Sequence, residues 1–202
     1  MKQAHRIGIY AGTFDPVHSG HVAFALQALQ AAELDEIYFL PERRPRKKQQ
    51  VEHFAHRVGM LRQALEPHPQ LDVLELVDVS FSVSHTLPRL RQQFPSAQLV
   101  FLFGSDIVPE LAGWPDAERL LESSELVIGI RSRDKREDLR AVIEAWQPQP
   151  QAVVMFDSYA PAVSSGVVRE ALRKRGSGSK APGLLPSVER YSDRHWLYVS
   201  IP

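Results

Sequence analysis

The chain has 202 residues, 44% hydrophobic and 24% charged, which suits one compact domain with a substantial core. Its 24 Lys plus Arg balance 24 Asp plus Glu, so no global field draws it to nucleic acid or a membrane surface, and any anion site is local. It has no cysteine, which excludes disulfides, thiolate zinc sites and cysteine nucleophiles and fits a reducing compartment.

Short apolar runs suited to buried strands alternate with longer stretches of helical period, the pattern of an α/β fold with a parallel sheet. Arg6 to Ala11 reads as a strand, His18 to Ala32 as a helix and Asp35 to Leu40 as a second strand, making a βαβ unit. After a basic loop, His53 to Leu65 has helical spacing and stops before Pro67; Leu71 to Leu76 reads as strand three and Thr86 to Phe94 as a helix. Gln98 to Phe103 is strand four, Trp114 to Glu122 a helix, Glu125 to Ile130 strand five, Glu137 to Trp146 a helix closed by Pro148, and Ala152 to Phe156 strand six. Ser164 to Arg175 reads as a capped helix ending at Gly176, followed by the flexible stretch GSGSKAPG and a short tail containing WLYV. No repeat and no second domain is visible: the expectation is a single domain over residues 1–202, with 176–202 as a loop and tail packed on it. No apolar run approaches the roughly 20 residues of a membrane span, and MKQAHRIGIYAG turns polar too soon for a secretory signal, so a cytoplasmic protein is expected.

In an open parallel sheet, ligands sit outside the carboxyl ends of the strands near a reversal of strand order. The segments GTFDPVHSGH, PERRPRKK, VSFSVSH, GSD and RSRD all follow predicted strands and can therefore converge on one crevice. In the first of them, Gly12 and Thr13 leave the strand, Pro16 restricts the turn, and Ser19, Gly20 and His21 open the helix. A helix start offers unpaired N–H groups and the positive end of the dipole, and Gly12 and Gly20 let the backbone approach phosphate closely. His18 and His21 are three residues apart, so both imidazoles can face one anion. Phosphoryl and nucleotidyl transfers gain mainly from positioning and charge stabilisation, so such a set needs no protein nucleophile. The alternative is that both His residues merely cap the helix.

Residues Gly12 to His21, including Thr13, Phe14 and both Gly, resemble the TFxPxHxGH signature of the nucleotidyltransferase superfamily. The resemblance implies a Rossmann-like, doubly wound parallel sheet and an ATP-binding crevice in which Gly12, Thr13, Phe14 and Gly20 meet the nucleotide and His18 and His21 act in catalysis. Other segments are similar to the bacterial nicotinate mononucleotide adenylyltransferase branch, in order and over nearly the whole chain. FLPERRPRKK resembles that branch's basic loop, with Arg46 and Lys47 at the corresponding positions; Lys47 would hold polyphosphate, while Arg43, Arg44 and Lys48 read equally as solvated charge. HRVGMLRQAL resembles the branch's helix with Arg and Met three apart, here Arg57 and Met60, and reads equally as ordinary core. FLFGSDIVPELAGW matches a strand followed by Gly-x-Asp and a Trp. The resemblance implies that Gly104 and Asp106 bind ribose and that Trp114 stacks on the acceptor ring. Helix-cap and core roles remain open for Asp106 and Trp114. VSSGVVREAL resembles the superfamily's ISSTxIR, implying phosphate contacts from Ser164, Ser165 and Arg169. LPSVERY and the final Leu-Tyr resemble the branch's C-terminal helix and ending.

Three departures touch the acceptor side. SVSHTL replaces the branch's Ser-Tyr-Thr-containing loop, leaving His85 and Thr86 to frame the acceptor pocket without the Tyr; Pro115 after Trp114 has no N–H; and Gly166 replaces the Thr of the late motif. The expected reaction is transfer of AMP from ATP, with Mg²⁺ carried by the triphosphate, onto nicotinate or nicotinamide mononucleotide in NAD biosynthesis, with small molecules as the partners and no protein metal site. An adenylyl- or cytidylyltransferase for another acceptor such as pantetheine phosphate, and a catalytically silent nucleotide-binding protein, stay open. A nucleic-acid role is not expected, because the basic stretch lacks interleaved aromatics.

Overall fold

In the computed structural model, which describes residues 5–45, 50–159, 163–174 and 182–199, six strands form one parallel sheet. They are β1 (Arg6–Gly12), β2 (Glu36–Pro41), β3 (Leu71–Val73), β4 (Gln98–Gly104), β5 (Glu125–Ile130) and β6 (Ala152–Asp157). Their order is β3-β2-β1-β4-β5-β6, so the chain reverses direction across the sheet between β1 and β4, as a doubly wound α/β fold requires. The helices are α1 (Ser19–Ala31), α2 (Phe54–Leu65), α3 (Val83–Gln93), α4 (Val108–Leu111), α5 (Ala117–Ser123), α6 (Arg136–Glu144), α7 (Ser165–Arg173) and α8 (Pro186–Arg194).

Strand periodicity divides the core. Along β4, Leu99, Phe101 and Phe103 join a cluster with Leu87 and Leu90 of α3, Leu120 of α5 and Leu139 of α6. Val100 and Leu102 point the other way, into a cluster with Phe24, Ala25 and Ala28 of α1, Met60 and Leu61 of α2 and Val188 of α8. Each fully buried Leu or Phe contributes roughly 1.5–3 kcal/mol. Helix α8 lies against α2 where a Cβ on Gly59 would meet Tyr191 Oη at 2.3 Å, so only glycine allows that approach.

The expected elements occur in the expected order, with four differences. Strand β3 stops at Val73 rather than Leu76: its last ladder bond runs from Leu74 N to Phe39 O, and the next donor on β2 falls at Pro41, which has no N–H. Helix α3 begins at Val83 rather than Thr86, because Ser82 caps it; Ser82 Oγ accepts from His85 N at 3.3 Å and Thr86 Oγ1 accepts from Ser82 N at 3.1 Å. Trp114 precedes α5 instead of starting it. Pro115 disfavours the helical region for the residue before it, and Asp116 takes a left-handed φ of 59°. The turn Ser105–Ile107 and the short α4 lie within the stretch GSDIVPELAG, where the apolar pattern marks no helix before Trp114 although a cap role for Asp106 presupposes one. Arg175 and Gly176, expected at the end of α7, lie outside the described residues, as does most of GSGSKAPG.

Candidate active site

The motif loop turns sharply between β1 and α1. Phe14 sits at a φ of 50° and is almost wholly buried; its ring approaches so closely that a Cβ on Gly12 would meet it at 2.9 Å. It packs edge-on against His21 with centroids 5.1 Å apart. Phe14 therefore supports an imidazole from beneath and does not stand on the cavity wall, unlike the nucleotide contact expected of it.

His18 is the N-cap residue of α1 and is only 5% exposed. Its N–H donates to His21 Nδ1 at 3.2 Å, and the two rings stack with centroids 3.7 Å apart and planes 25° apart. Because His21 Nδ1 accepts, a neutral His21 carries its proton on Nε2 as a donor. Burial lowers the His18 pKa to about 4, so this ring is neutral at physiological pH. Helix capping and a cavity-facing imidazole pair are thus two properties of the same residues.

A cleft of about 550 Å³ opens at the carboxyl ends of β1, β4, β5 and β6, with His18, Gly20 and His21 on one wall. Ser164 and Ser165, at the start of α7, form a second wall, and Gly104, Gly129, Arg131 and Arg133 a third. Ser164 caps α7, accepting from Val167 N at 3.3 Å, and Ser165 Oγ donates to Pro16 O at 3.0 Å, tying α7 to the motif loop. Asp106 stands beside Gly104, with Oδ1 3.0 Å from Arg131 Nη2; both side chains are half exposed. Arg131 and Gly129 lie on the cleft wall but were not among the expected site residues; the only sequence signal was the place of Arg131 directly after strand five and of Gly129 near its carboxyl end.

The expected acceptor residues gather elsewhere. Trp114 is half-buried and packs edge-on against Phe103 at 5.8 Å and tilted against Phe81 at 6.2 Å. Thr86 is buried beside a second, much smaller cavity shared with Phe81, Glu42 and Asp78. His85 is exposed, its Nδ1 3.0 Å from Ser82 Oγ, on the first turn of α3. Phe81 thus supplies an aromatic ring near Trp114 although the branch's Tyr is missing. Lys47, like Arg46 and Lys48, lies outside the described residues.

Buried groups join these walls. Arg57 is fully buried and donates to four carbonyl oxygens: Thr13 at 2.7 Å, Glu42 at 2.8 Å, Glu52 at 2.9 Å and Arg43 at 3.1 Å. One guanidinium so fixes the motif loop and both ends of the basic loop. Burial lowers its pKa, opposed chiefly by the charge of Asp15. Asp15 is also buried, and Arg169 Nη1 donates to its carbonyl at 2.5 Å. These two roles were not expected. The available signal was an Arg on the apolar face of α2, among Val58, Met60 and Leu61.

Among the described residues, no three His, Cys, Asp or Glu stand together as a metal site, and no helix is long and apolar enough to cross a membrane. Residues 9–171 match a family described as cytidylyltransferase-like. The chain belongs to that family. This places it in the nucleotidyltransferase superfamily. It is 34% identical over 205 residues to the nicotinate-nucleotide adenylyltransferase of Bacillus subtilis (strain 168), covering 96% of this chain and 99% of that one. In structure it is similar to Plasmodium falciparum nicotinic acid mononucleotide adenylyltransferase complexed with NaAD, with a TM-score of 0.77, 19% identity and coverage of 96% and 97%. The same Plasmodium enzyme complexed with APC gives a TM-score of 0.76 at 18% identity; at these identities the likeness shows the fold.

Proposed function

We propose that this family member transfers AMP from Mg-ATP to nicotinate mononucleotide, releasing pyrophosphate, as the name of its Bacillus subtilis relative indicates. The stacked His18–His21 pair on the wall of the cleft carries this reading. An oxygen of the acceptor phosphate attacks the α-phosphorus in line; the bond from that phosphorus to the bridging oxygen breaks, and its electron pair leaves with pyrophosphate. His21 donates from Nε2 to the charge that builds on the α-phosphate, and neutral His18 holds the His21 ring in place through its N–H.

Ser164, Ser165 and Arg169, at the start of α7, receive the leaving phosphates, together with Lys47. Thr13 and Gly20 hold the triphosphate from the motif loop, Asp106 accepts from a ribose hydroxyl beside Gly104, and Trp114, itself in contact with Phe81, packs against the acceptor ring. His85 and Thr86 flank that pocket. Mg²⁺ enters with the triphosphate and is held by phosphate and water. Pro115 offers no N–H to the acceptor's carboxylate, so discrimination between nicotinate and nicotinamide mononucleotides is weaker than in a relative with a main-chain donor there. A panel of nicotinate mononucleotide, nicotinamide mononucleotide and pantetheine phosphate, each with ATP or CTP, tests this. Pyrophosphate release is expected with ATP and the pyridine nucleotides; release with pantetheine phosphate or CTP alone sinks it.

A further inference from the structure

We infer that the C-terminal segment 182–199 is a brace for the nucleotide-binding loop, and that Tyr198 and Asp15 are positioning residues that aim Arg169 at the leaving pyrophosphate. The inference rests on the adenylyltransferase reading above. The segment touches the motif loop at both of its ends. At one end, Gly183 O accepts from Ser19 N, the first helical N–H of α1, at 2.9 Å. Gly183 has a φ of 74°, and a Cβ there would meet Val163 Cγ1 at 2.7 Å, so the crossing requires glycine. At the other end, Tyr198 Oη donates to Asp15 Oδ1 at 2.6 Å across 183 positions of sequence.

Asp15 Oδ1 also accepts from Glu52 N at 3.3 Å, at the far end of the basic loop. With two donors on Oδ1, the carboxylate is oriented so that Oδ2 lies 3.6 Å from Arg169 Nη1, which already donates to Asp15 O. Arg169 is thereby held from behind, with its Nη2 on the side of Gly166 and the start of α7. Such a guanidinium cannot swing away when the triphosphate's charge is absent, and its entropy cost is met before the ligand arrives.

Two features of the segment favour a positioning role over simple packing. Trp196 and Tyr198 both adopt left-handed φ values, 54° and 58°, which non-glycine residues hold only where the surroundings enforce them. The enforcing contacts are Leu197 N to Ser192 O at 3.0 Å and the buried Ser192 Oγ to Leu197 O at 3.3 Å. Their effect is to turn Tyr198 inward while Trp196 stays 78% exposed. Burial and then the neighbouring Asp15 carboxylate push the Tyr198 hydroxyl pKa upward, so it remains a donor.

The test uses the full chain with Tyr198→Phe, Asp15→Asn and the double variant. It measures ATP and AMP binding, pyrophosphate inhibition, the KM for nicotinate mononucleotide and the melting temperature. Tyr198→Phe is expected to weaken ATP binding and pyrophosphate inhibition about tenfold, while AMP binding and the acceptor KM stay within about twofold. The double variant is expected to lose more than Asp15→Asn alone, because the Asn amide oxygen still accepts from Tyr198 and only the charge facing Arg169 is removed. Equal losses for ATP and AMP together with a lower melting temperature mean a structural role only and overturn the inference. So does wild-type ATP binding in Tyr198→Phe, which decides the matter even if Asp15→Asn does not fold. If the wild-type protein binds ATP but releases no pyrophosphate with any acceptor, the adenylyltransferase reading fails, while the ATP-to-AMP comparison still reports on the brace.

Discussion

The imidazoles of His18 and His21 stack 3.7 Å apart, with the backbone N–H of the first donating to Nδ1 of the second. One residue thereby sets the tautomer and orientation of the other. In the proposed reaction the buried ring supports and the second ring acts, which predicts distinct responses to mutation and to pH.

The first response is in stability. His18 has a pKa of about 4 in the fold against an ordinary 6.5, so between those values the unfolded chain takes up a proton that the folded chain refuses. Its contribution is fully present above about pH 6.5 and falls as the pH drops toward 4, by about 3 kcal/mol. Denaturant unfolding from pH 7.5 to 4.5 is expected to show a steeper loss for wild type than for His18→Gln. Parallel curves for the two proteins contradict the assignment.

Arg57 links the motif loop to the basic loop through four carbonyl groups. Arg57→Met leaves those carbonyls without donors and is expected to cost about 3 kcal/mol. That loss corresponds to a melting temperature lower by roughly 6–12 °C for a chain of this size. Arg57→Lys is expected to restore little, because a single ammonium cannot span the fork. Calorimetry on the two variants decides it, and a Lys variant matching wild type counts against the bridging role.

Gly129 is the last β5 residue paired with β4 and lies on the cleft wall, where a Cβ would come within 2.2 Å of the Phe24 ring and 3.2 Å of Phe156. Gly129→Ala is expected to destabilise the fold by about 1–3 kcal/mol and, by pushing Phe24 toward the cleft, to raise the KM for ATP. Thermal unfolding with steady-state kinetics measures both. An Ala variant with unchanged stability means that the ring moves freely.

At Gly166 the opposite holds. A Cβ there would sit 3.5 Å from Ser164 Oγ and 4.0 Å from Arg169 Nη2, in ordinary contact. Gly166→Thr, which restores the hydroxyl of the related late motif, is expected to leave folding intact and to lower the KM for ATP on the order of fivefold. An unchanged KM places the added hydroxyl away from the phosphates.

The parallel sheet and the crevice were legible because alternating apolar runs and the GTFDPVHSGH turn are local signals. His18, Gly20, His21, Gly104, Ser164 and Ser165 accordingly meet in one cleft. The missed features depend on contacts that no local pattern carries. Phe14 lies inside the motif yet faces the core, because its positive φ turns the ring beneath His21. The part Asp15 plays depends on Tyr198, 183 positions away, which donates to its carboxylate. Arg57 has the spacing of a core helix face, and only the fold shows the four carbonyls around it. The start of α3 was shifted by a Ser82 cap that periodicity does not register.

In the proposed mechanism the His pair carries out adenylyl transfer in this cleft. Its most direct test is pyrophosphate release by purified protein given Mg-ATP and nicotinate mononucleotide, for wild type, His18→Ala and His21→Ala. The expected result is turnover by wild type and a loss of about 10²-fold or more in kcat for His21→Ala, in a protein whose circular dichroism is unchanged. Full activity in His21→Ala, or none in wild type with any pyridine mononucleotide, would contradict it.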